Sequence, residues 1–257
     1  MIFTRALVRP PPPTFRDGLT SANEGAPDIG LALEQHRAYC QALMTCGLEI
    51  TMLPADPEHP DSTFVEDTAI VTARGAIAMR PGAPSRQGEV ESIVAALRHQ
   101  YRDVARIEAP GTVDGGDVCE ADDHFLIGLS SRTNEHGARQ LAGLLGELRS
   151  TTSIVDIRGI KTLLHLKSGL AYLGDNRLIV TEDLPRVAAF RRYEQIPVRP
   201  EERYAANCIR VNDRVLVAAG YPRITEILAA RRYEVVQLEM SEFRKMDGGL
   251  SCLSLRL

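Results

Sequence analysis

Apolar and polar positions along this chain repeat one unit: strand, tight turn, strand, helix, strand. Residues 2–9 alternate toward a strand and stop at Pro10-Pro11-Pro12-Pro13, a stiff extended segment. The loop from Phe15 to Ser21 is polar but for Phe15 and Leu19. From Asp28 the positions Ile29, Leu33, His36, Cys40, Leu43 and Met44 recur at helical spacing and end at Gly47, and Leu48 to Leu53 predicts a short strand. Next comes a strand from Phe64 to Val71, a turn at Arg74-Gly75, a strand from Ala76 to Met79, and a helix with Val90, Ile93, Val94 and Leu97 on one face. The order returns with Gly116 to Cys119, a turn at Asp122-Asp123, the strand Phe125 to Ile127, and a helix capped by Ser130 to Thr133 that carries Ala138, Leu141, Leu145 and Leu148. Ser153 to Ile157 closes that copy.

A third copy runs Gly169 to Leu173, a turn at Asp175-Asn176, Leu178 to Val180, and a helix opened by Pro185. A fourth runs Asn207 to Val211, a turn at Asn212-Asp213, Val215 to Ala218, a helix from Pro222, and Tyr233 to Leu238. The fifth is split, with Ser251 to Leu257 as its first strand, Ile2 to Val8 as its second, and 28–46 as its helix. Intervals of about 50 residues and then about 40 suit radial repetition. Dividing one copy between the termini fastens a closed ring and buries strand edges. The pattern predicts an α/β fold, a five-bladed pseudosymmetric α/β propeller forming one domain over residues 1–257. A doubly wound sheet and two separate α/β domains are the alternatives.

Pseudosymmetry would bring the first strands to one axis, and their starts are polar: Glu66-Asp67, Asp114 and Asp117, His165 and Lys167-Ser168, Asn207-Cys208, Ser251-Cys252. Polar groups at core positions must be hydrogen-bonded or serve a ligand.

A formal net charge of −4 argues against nucleic acid and membrane surfaces as partners. No apolar run approaches the roughly 18 residues of a membrane span. The first residues lack the pattern of a signal peptide. Five cysteines, an odd and sparse set, suggest no disulfide framework, so a reducing cytoplasm is the expected setting. None pairs as Cys-x-x-Cys, so spacing supports no zinc site.

Cys252 follows Gly248-Gly249, and glycines let backbone or a ligand approach a thiol. His165 and the cluster Asp114-Gly115-Gly116-Asp117 are candidates for proton carrier and orienter. The alternative is a buried cysteine acting as a small hydrophobe. Glu66 and Asp67 open their strand on opposite faces, either as carboxylates for a cation or as a cap and a solvated acid. Asp61, after Pro60, reads first as a turn former. Arg86 and Arg132 occupy corresponding helix entrances, where a cation opposes the helix dipole, so a bound anion would explain them. A guanidinium fork suits a carboxylate, although each could be a surface arginine. Carboxylates for a cation, arginines for a carboxylate and a thiol together match an arginine-like amino acid.

Phe64-Val65-Glu66-Asp67, Gly115-Gly116-Asp117, His165-Leu166-Lys167-Ser168, Ala205-Ala206-Asn207-Cys208 and Asp247-Gly248-Gly249-Leu250-Ser251-Cys252 resemble motifs of the guanidine-modifying enzymes of the pentein fold. Among these the chain looks most like the dimethylargininases, a likeness that includes Asp17 to Ser21, Leu53 to Asp56 and Ser131 to Asn134. The resemblance implies Cys252 as nucleophile, His165 as proton donor and then base, and Asp114 as the acid orienting it, where a glutamate is common. It implies Asp67, with Glu66 beside it, for the guanidinium. Asp61 and the Leu19 backbone would take the α-amino group, Arg86 and Arg132 the α-carboxylate, and the Met246 backbone would add a contact. The loop around Leu19 would be a lid. Methylated arginine would become citrulline through a thiouronium on Cys252, with no cofactor or metal, in a protein that could be a homodimer. Lys167 stands where related deiminases carry the acid of His-Leu-Asp. Rival readings are hydrolysis of arginine itself, amidine transfer, and a binding protein of the same fold.

Overall fold

A computed structural model describes residues 2–184 and 187–257. They contain five three-stranded sheets, each built to one plan. The first two strands pair antiparallel, through a tight turn in four of the sheets, and the second pairs parallel with the third. A parallel pair needs a crossover, and in four of the sheets an α-helix supplies it among the described residues. Packing divides the chain into two units, residues up to Val65 with Asn207–Leu257, and Glu66–Ala206.

The unit Glu66–Ala206 holds three sheets. The first joins Ala69–Thr72, Gly75–Ala78 and Val104–Arg106, with helix α2 (Val90–Leu97) as crossover; α1 (Ile29–Thr45) belongs to the other unit. The second joins Val118–Ala121, His124–Leu129 and Thr151–Asp156, with α3 (Glu135–Glu147) between the last two. Asn134 caps α3 by accepting the Gly137 N–H at 2.8 Å, so the cap lies just beyond the expected Ser130 to Thr133. Ala138, Leu141 and Leu145 of α3 are fully buried with Ile77, Phe125 and Ile127. Each such large side chain contributes about 1.5–3 kcal/mol by leaving water. The third sheet joins Leu170–Tyr172, Arg177–Thr181 and Glu194–Val198. Pro185, where its helix was expected to open, lies with Arg186 outside the described residues; the 3₁₀ turn Ala188–Phe190 follows.

The other unit holds two sheets. One joins Ile209–Val211, Arg214–Ala218 and Glu234–Leu238, with α4 (Pro222–Ala230) as crossover. The other takes strands from both ends of the chain, as the split copy required. Leu255–Arg256 pairs antiparallel with Arg5–Val8, which pairs parallel with Glu49–Met52 after α1 (Ile29–Thr45). Asn212 ties the two sheets, accepting the Phe3 N–H at 2.9 Å and donating Nδ2 to Cys46 O at 2.8 Å. Phe15, Phe64 and Phe243 pack edge to face at the centre of this unit, with ring centroids 5.7 to 6.4 Å apart.

Four of the five copies also share a polar pair, the exception being the sheet where Ala76 faces Val104. At the first register position of the parallel strands stand Arg5 and Glu49, His124 and Thr151, Arg177 and Glu194, and Arg214 and Glu234. The last two are ion pairs at 3.1 and 2.7 Å.

One expectation needs correcting. The polar residues do not lie on the first strands but on, or directly beside, 3₁₀ turns ahead of them: Val65–Thr68, Gly115–Asp117, Leu166–Ser168, Pro200–Ala206 and Ser251–Leu253. Glu66 and Asp67 are therefore not on opposite faces of a strand, and the last strand is only Leu255–Arg256. Such turns advance about 120° per residue, so adjacent polar side chains fan out. Glycine permits the closest approach between two of them. A Cβ on Gly115 would stand 1.9 Å from Glu66 O. Among the described residues, no helix is long and apolar enough to cross a membrane.

Candidate active site

In the unit Glu66–Ala206 the 3₁₀ turns bring together most of the residues singled out there. Asp114 precedes the turn Gly115–Asp117, and its carboxylate accepts the Gly82 N–H at 2.7 Å and meets His165 Nε2 at 3.0 Å. The aspartate side chain thus reaches the imidazole where a longer glutamate is common. The other ring nitrogen lies over Gly116, where an added Cβ would stand 2.7 Å from Nδ1.

Asp67 accepts the Gly116 N–H at 2.8 Å and Arg86 Nη1 at 2.6 Å. Arg86 also grips Glu89 with Nε and Nη2, at 3.0 and 2.9 Å. All three side chains are buried. Arg86 sits poorly for a helix dipole because two carboxylates of its own unit hold it there. Two anions beside Arg86 thus belong to the chain itself, and the Arg-x-x-Glu spacing to Glu89 was the signal of one of them in the sequence.

Glu66 meets Lys167 Nζ at 2.6 Å, both largely withdrawn from water. Asp117, fully buried, accepts from Ser130 Oγ, Thr133 Oγ1 and the Leu166 N–H at 2.6, 2.7 and 2.9 Å. It thereby ties the loop at 130–133 to the turn that follows His165. Nothing in the sequence separated this bracing carboxylate from Asp114. Arg132 is half-buried, and its N–H donates to Ser130 Oγ at 3.0 Å.

These contacts set the charges. Burial would hold the His165 imidazole down, but the Asp67 charge, the Asp114 hydrogen bond and the Asp117 charge outweigh it and raise its pKa to about 9. Burial would raise Asp67, yet His165 and Arg86 bring it down to about 2. Burial pushes Asp117 up to about 6, against His165 and its three donors. Asp67, Asp114 and His165 each present a ligand atom within 4.8 Å of the others, a spacing that could hold a metal ion. The carboxylate oxygens of Asp67 and Asp114 and His165 Nε2 already serve the hydrogen bonds above, and the buried guanidinium on Asp67 opposes a second cation.

In the other unit Cys252 lies in the turn Ser251–Leu253 and is 9% exposed. The Gly249 N–H points at Sγ from 3.4 Å. Asn207 clamps the turn from both sides, donating Nδ2 to Ser251 Oγ at 3.0 Å and accepting the Ser251 N–H at 2.9 Å. The two glycines make room for protein atoms. A Cβ on Gly248 would stand 2.3 Å from the Phe64 ring, and one on Gly249 would stand 2.5 Å from Asn207 Oδ1. Asp61 does stand in a turn, its backbone carbonyl accepting the Phe64 N–H at 2.9 Å, but its side chain is buried and both carboxylate oxygens lie 3.1 Å from the Leu19 N. A Cβ on Gly18 would meet Asp61 and Met246 at 2.5 and 3.2 Å, so Leu19, Asp61 and Met246 form one neighbourhood.

A family model described as N,N dimethylarginine dimethylhydrolase, eukaryotic, matches residues 21–189. The N(G),N(G)-dimethylarginine dimethylaminohydrolase of Pseudomonas aeruginosa is 48% identical over 256 residues, 99% of this chain and 100% of that protein. The Streptomyces coelicolor protein of the same description is 37% identical over 98% of this chain and 96% of its own length. A crystal structure of the Pseudomonas aeruginosa enzyme, a cysteine-to-serine variant complexed with citrulline, is 47% identical and covers both chains completely with a TM-score of 0.97. The N-terminal domain of an arginine dihydrolase from cyanobacteria shares the fold at 19% identity, with a TM-score of 0.88 over 98% of this chain and 96% of its own.

Proposed function

Because the chain belongs to the dimethylarginine dimethylaminohydrolase family, with the five-bladed pentein fold, we propose that it hydrolyses Nω,Nω-dimethylarginine and Nω-monomethylarginine to citrulline and dimethylamine or methylamine. The observation that carries this reading is the buried His165–Asp114 pair, 3.0 Å apart, in a chain that also bears a thiol in a glycine-lined turn. An imidazole whose pKa lies near 9 is protonated at neutral pH and is suited to give its proton to a departing amine.

In this mechanism the Cys252 thiolate attacks the guanidinium carbon. The tetrahedral species collapses as the C–N bond to dimethylamine breaks and His165 protonates that nitrogen. The product is a thiouronium on Cys252. His165, now neutral, takes a proton from water as the oxygen adds to the same carbon, and the C–S bond breaks to give citrulline. Asp114 orients the imidazole. Asp67, with Glu66 beside it, takes the guanidinium. Asp61 and the Leu19 backbone take the α-amino group, and the Met246 backbone adds a contact. Arg132 and Arg86 take the α-carboxylate, Arg86 with a guanidinium already ordered by Asp67 and Glu89. No cofactor enters these steps.

Methylated arginines are preferred to arginine on this reading. Next to Leu166 and close to His165 in sequence, Lys167 offers an ammonium paired with Glu66 and no acceptor. A dimethylated nitrogen has no N–H to satisfy, whereas arginine would leave N–H groups unpaired at roughly 1–3 kcal/mol each. Citrulline release from the purified protein should therefore give kcat/KM for arginine at least about 100-fold below that for dimethylarginine. Equal values would hand the chain to arginine hydrolysis. We take residues 1–257 as one catalytic domain, because the two dimethylarginine dimethylaminohydrolases match this chain over 99% and 98% of its length. The proposal extends to a homodimer in the reducing cytoplasm, where the five free cysteines stay reduced. Light scattering that returns a monomer would remove the first part, and a disulfide found after thiol trapping in cells would remove the second.

A further inference from the structure

We infer that Asp247 is a positioning residue, a latch that holds the loop bearing Leu19 against the segment leading to Cys252. Its place in the reaction rests on the function proposed above. Asp247 ends the short helix Ser241–Arg244 with φ of 57°. Its N–H donates to Arg244 O at 3.1 Å, and the Gly248 N–H donates to Phe243 O at 2.9 Å. That pair of bonds is the left-handed helix stop at which glycine is the usual residue, because a Cβ there costs strain. Two glycines follow immediately, yet the stop itself carries an aspartate.

Its carboxylate has a defined use. Oδ2 accepts the Ser21 N–H at 2.5 Å and the Ser21 hydroxyl at 2.9 Å, and stands 3.3 Å from Thr20 Oγ1. Thr20 Oγ1 donates to Lys245 O at 2.9 Å, two residues away. One residue earlier, the Leu19 N–H is held by buried Asp61. At residue 24 the Glu24 carboxylate pairs with Arg244 at 2.7 Å. The loop thus has four moorings, at Leu19, Thr20, Ser21 and Glu24, and the one at Ser21 is a single carboxylate oxygen five residues before Cys252. Leu19 is itself 41% exposed, so little apolar packing replaces these bonds. The left-handed backbone at Asp247 turns its side chain back onto the loop, and the same backbone then enters Gly248-Gly249 and the Cys252 turn.

Two substitutions separate the latch from the backbone that carries it. Asp247→Gly suits the left-handed stop and deletes the acceptor, whereas Asp247→Asn suits it and keeps an oxygen. For Asp247→Gly we expect a melting temperature equal to or above wild type. Amide exchange over residues 19–22 should rise by about tenfold or more. kcat/KM for dimethylarginine should fall by about tenfold, mostly through KM, because a disordered loop must be ordered by the substrate. Asp247→Asn should stay within about threefold of wild type in each readout. Unchanged exchange in Asp247→Gly overturns the latch, whatever the activity. Faster exchange with unchanged kcat/KM overturns its role in positioning the loop for substrate. If the wild-type protein does not act on methylated arginine at all, the function fails and the exchange comparison still decides the latch.

Discussion

The regions around His165 and around Cys252 solve different physical problems. Around His165 almost every functional group is ionic and buried, and each charge has a counter-charge or several donors. Arg86 joins Asp67 and Glu89, Lys167 joins Glu66, His165 joins Asp114, and Asp117 collects three donors. Around Cys252 the fixing contacts are neutral: the Asn207 clamp on Ser251, the Gly249 N–H toward Sγ, and Phe64 over Gly248. The first region therefore stores charge, and its behaviour should follow pH and charge deletion. The second stores shape, and its behaviour should follow volume and backbone.

The largest effect expected from this contrast comes from an atom swap that alters neither charge nor volume much. Serine is a far weaker nucleophile than a thiolate, so Cys252→Ser should lower citrulline formation below about 1% of wild type, with unchanged circular dichroism. Residual turnover above that level would remove Cys252 from the chemistry. The strongest test of the charged region is Arg86→Met, which strands two buried carboxylates. Urea unfolding should show a loss of about 3–5 kcal/mol. A loss below about 1 kcal/mol would mean that those carboxylates find other partners.

A smaller effect lies in the pH dependence. The folded-state pKa of His165 is raised to about 9 from the ordinary 6.5. Its contribution to stability is therefore fully present below pH 6.5 and is lost as pH rises through 9. Asp67 works in the opposite sense, contributing above its ordinary 3.8 and losing that contribution as pH falls through about 2. The stability gap between wild type and His165→Gln should be constant from pH 5 to about 6.5 and shrink by a few kcal/mol toward pH 9. A gap that does not change over that range would show that the imidazole is not held in its charged form.

The smallest effects concern glycine, and they separate the regions again. Gly249→Ala would press a methyl group against Asn207 Oδ1 and loosen the Ser251 clamp, so we expect a loss of about 1 kcal/mol and a several-fold drop in kcat. Gly143→Ala, on an open face of α3 with nothing within 4 Å, should raise stability by about 1 kcal/mol and leave kcat alone. Equal responses at the two positions would undercut the contrast.

The fivefold repeat was legible because its signals are local. Alternating strands, helical spacing and turn residues such as Asp122, Asn176 and Asn212, all at positive φ, are written within a few positions of one another. The 3₁₀ turns were not legible. Four of the five span only three or four residues and leave no periodicity, and Phe64 to Val71 reads as one strand although its first half turns. For the site, residue identity was easier to infer than residue partnership. Lys167 and Glu66 are about a hundred positions apart, and only tertiary structure makes them a pair. Arg86 and Glu89 are only three apart, but a cation at a helix entrance suits an anion from outside the chain as well as one from within it. The role of Asp117 depended on Ser130 and Thr133, which the sequence had assigned to a helix cap.

The sheet made from both ends of the chain bears on the order of folding. Ala6 lies opposite Arg256 and Leu7 opposite Leu255, contacts that close a loop of nearly the whole polypeptide. Phe125 and Leu126 find Glu120 and Cys119 across one tight turn. Closing the longer loop costs more chain entropy before any contact rewards it, so long-range pairing of this kind tends to come late. The continuous stretch Glu66–Ala206 can assemble its three sheets first, and the turn bearing Cys252, just ahead of the last strand, should be among the final pieces to settle. Pulse-labelled hydrogen exchange during refolding should then find the amides of Leu126 and Ile127 protected before those of Ala6 and Leu7, and the reverse order would refute this sequence of events. On this view the thiol becomes organised only in a molecule whose charged apparatus is already built, so partly folded chains carry the histidine and its acids without an ordered nucleophile.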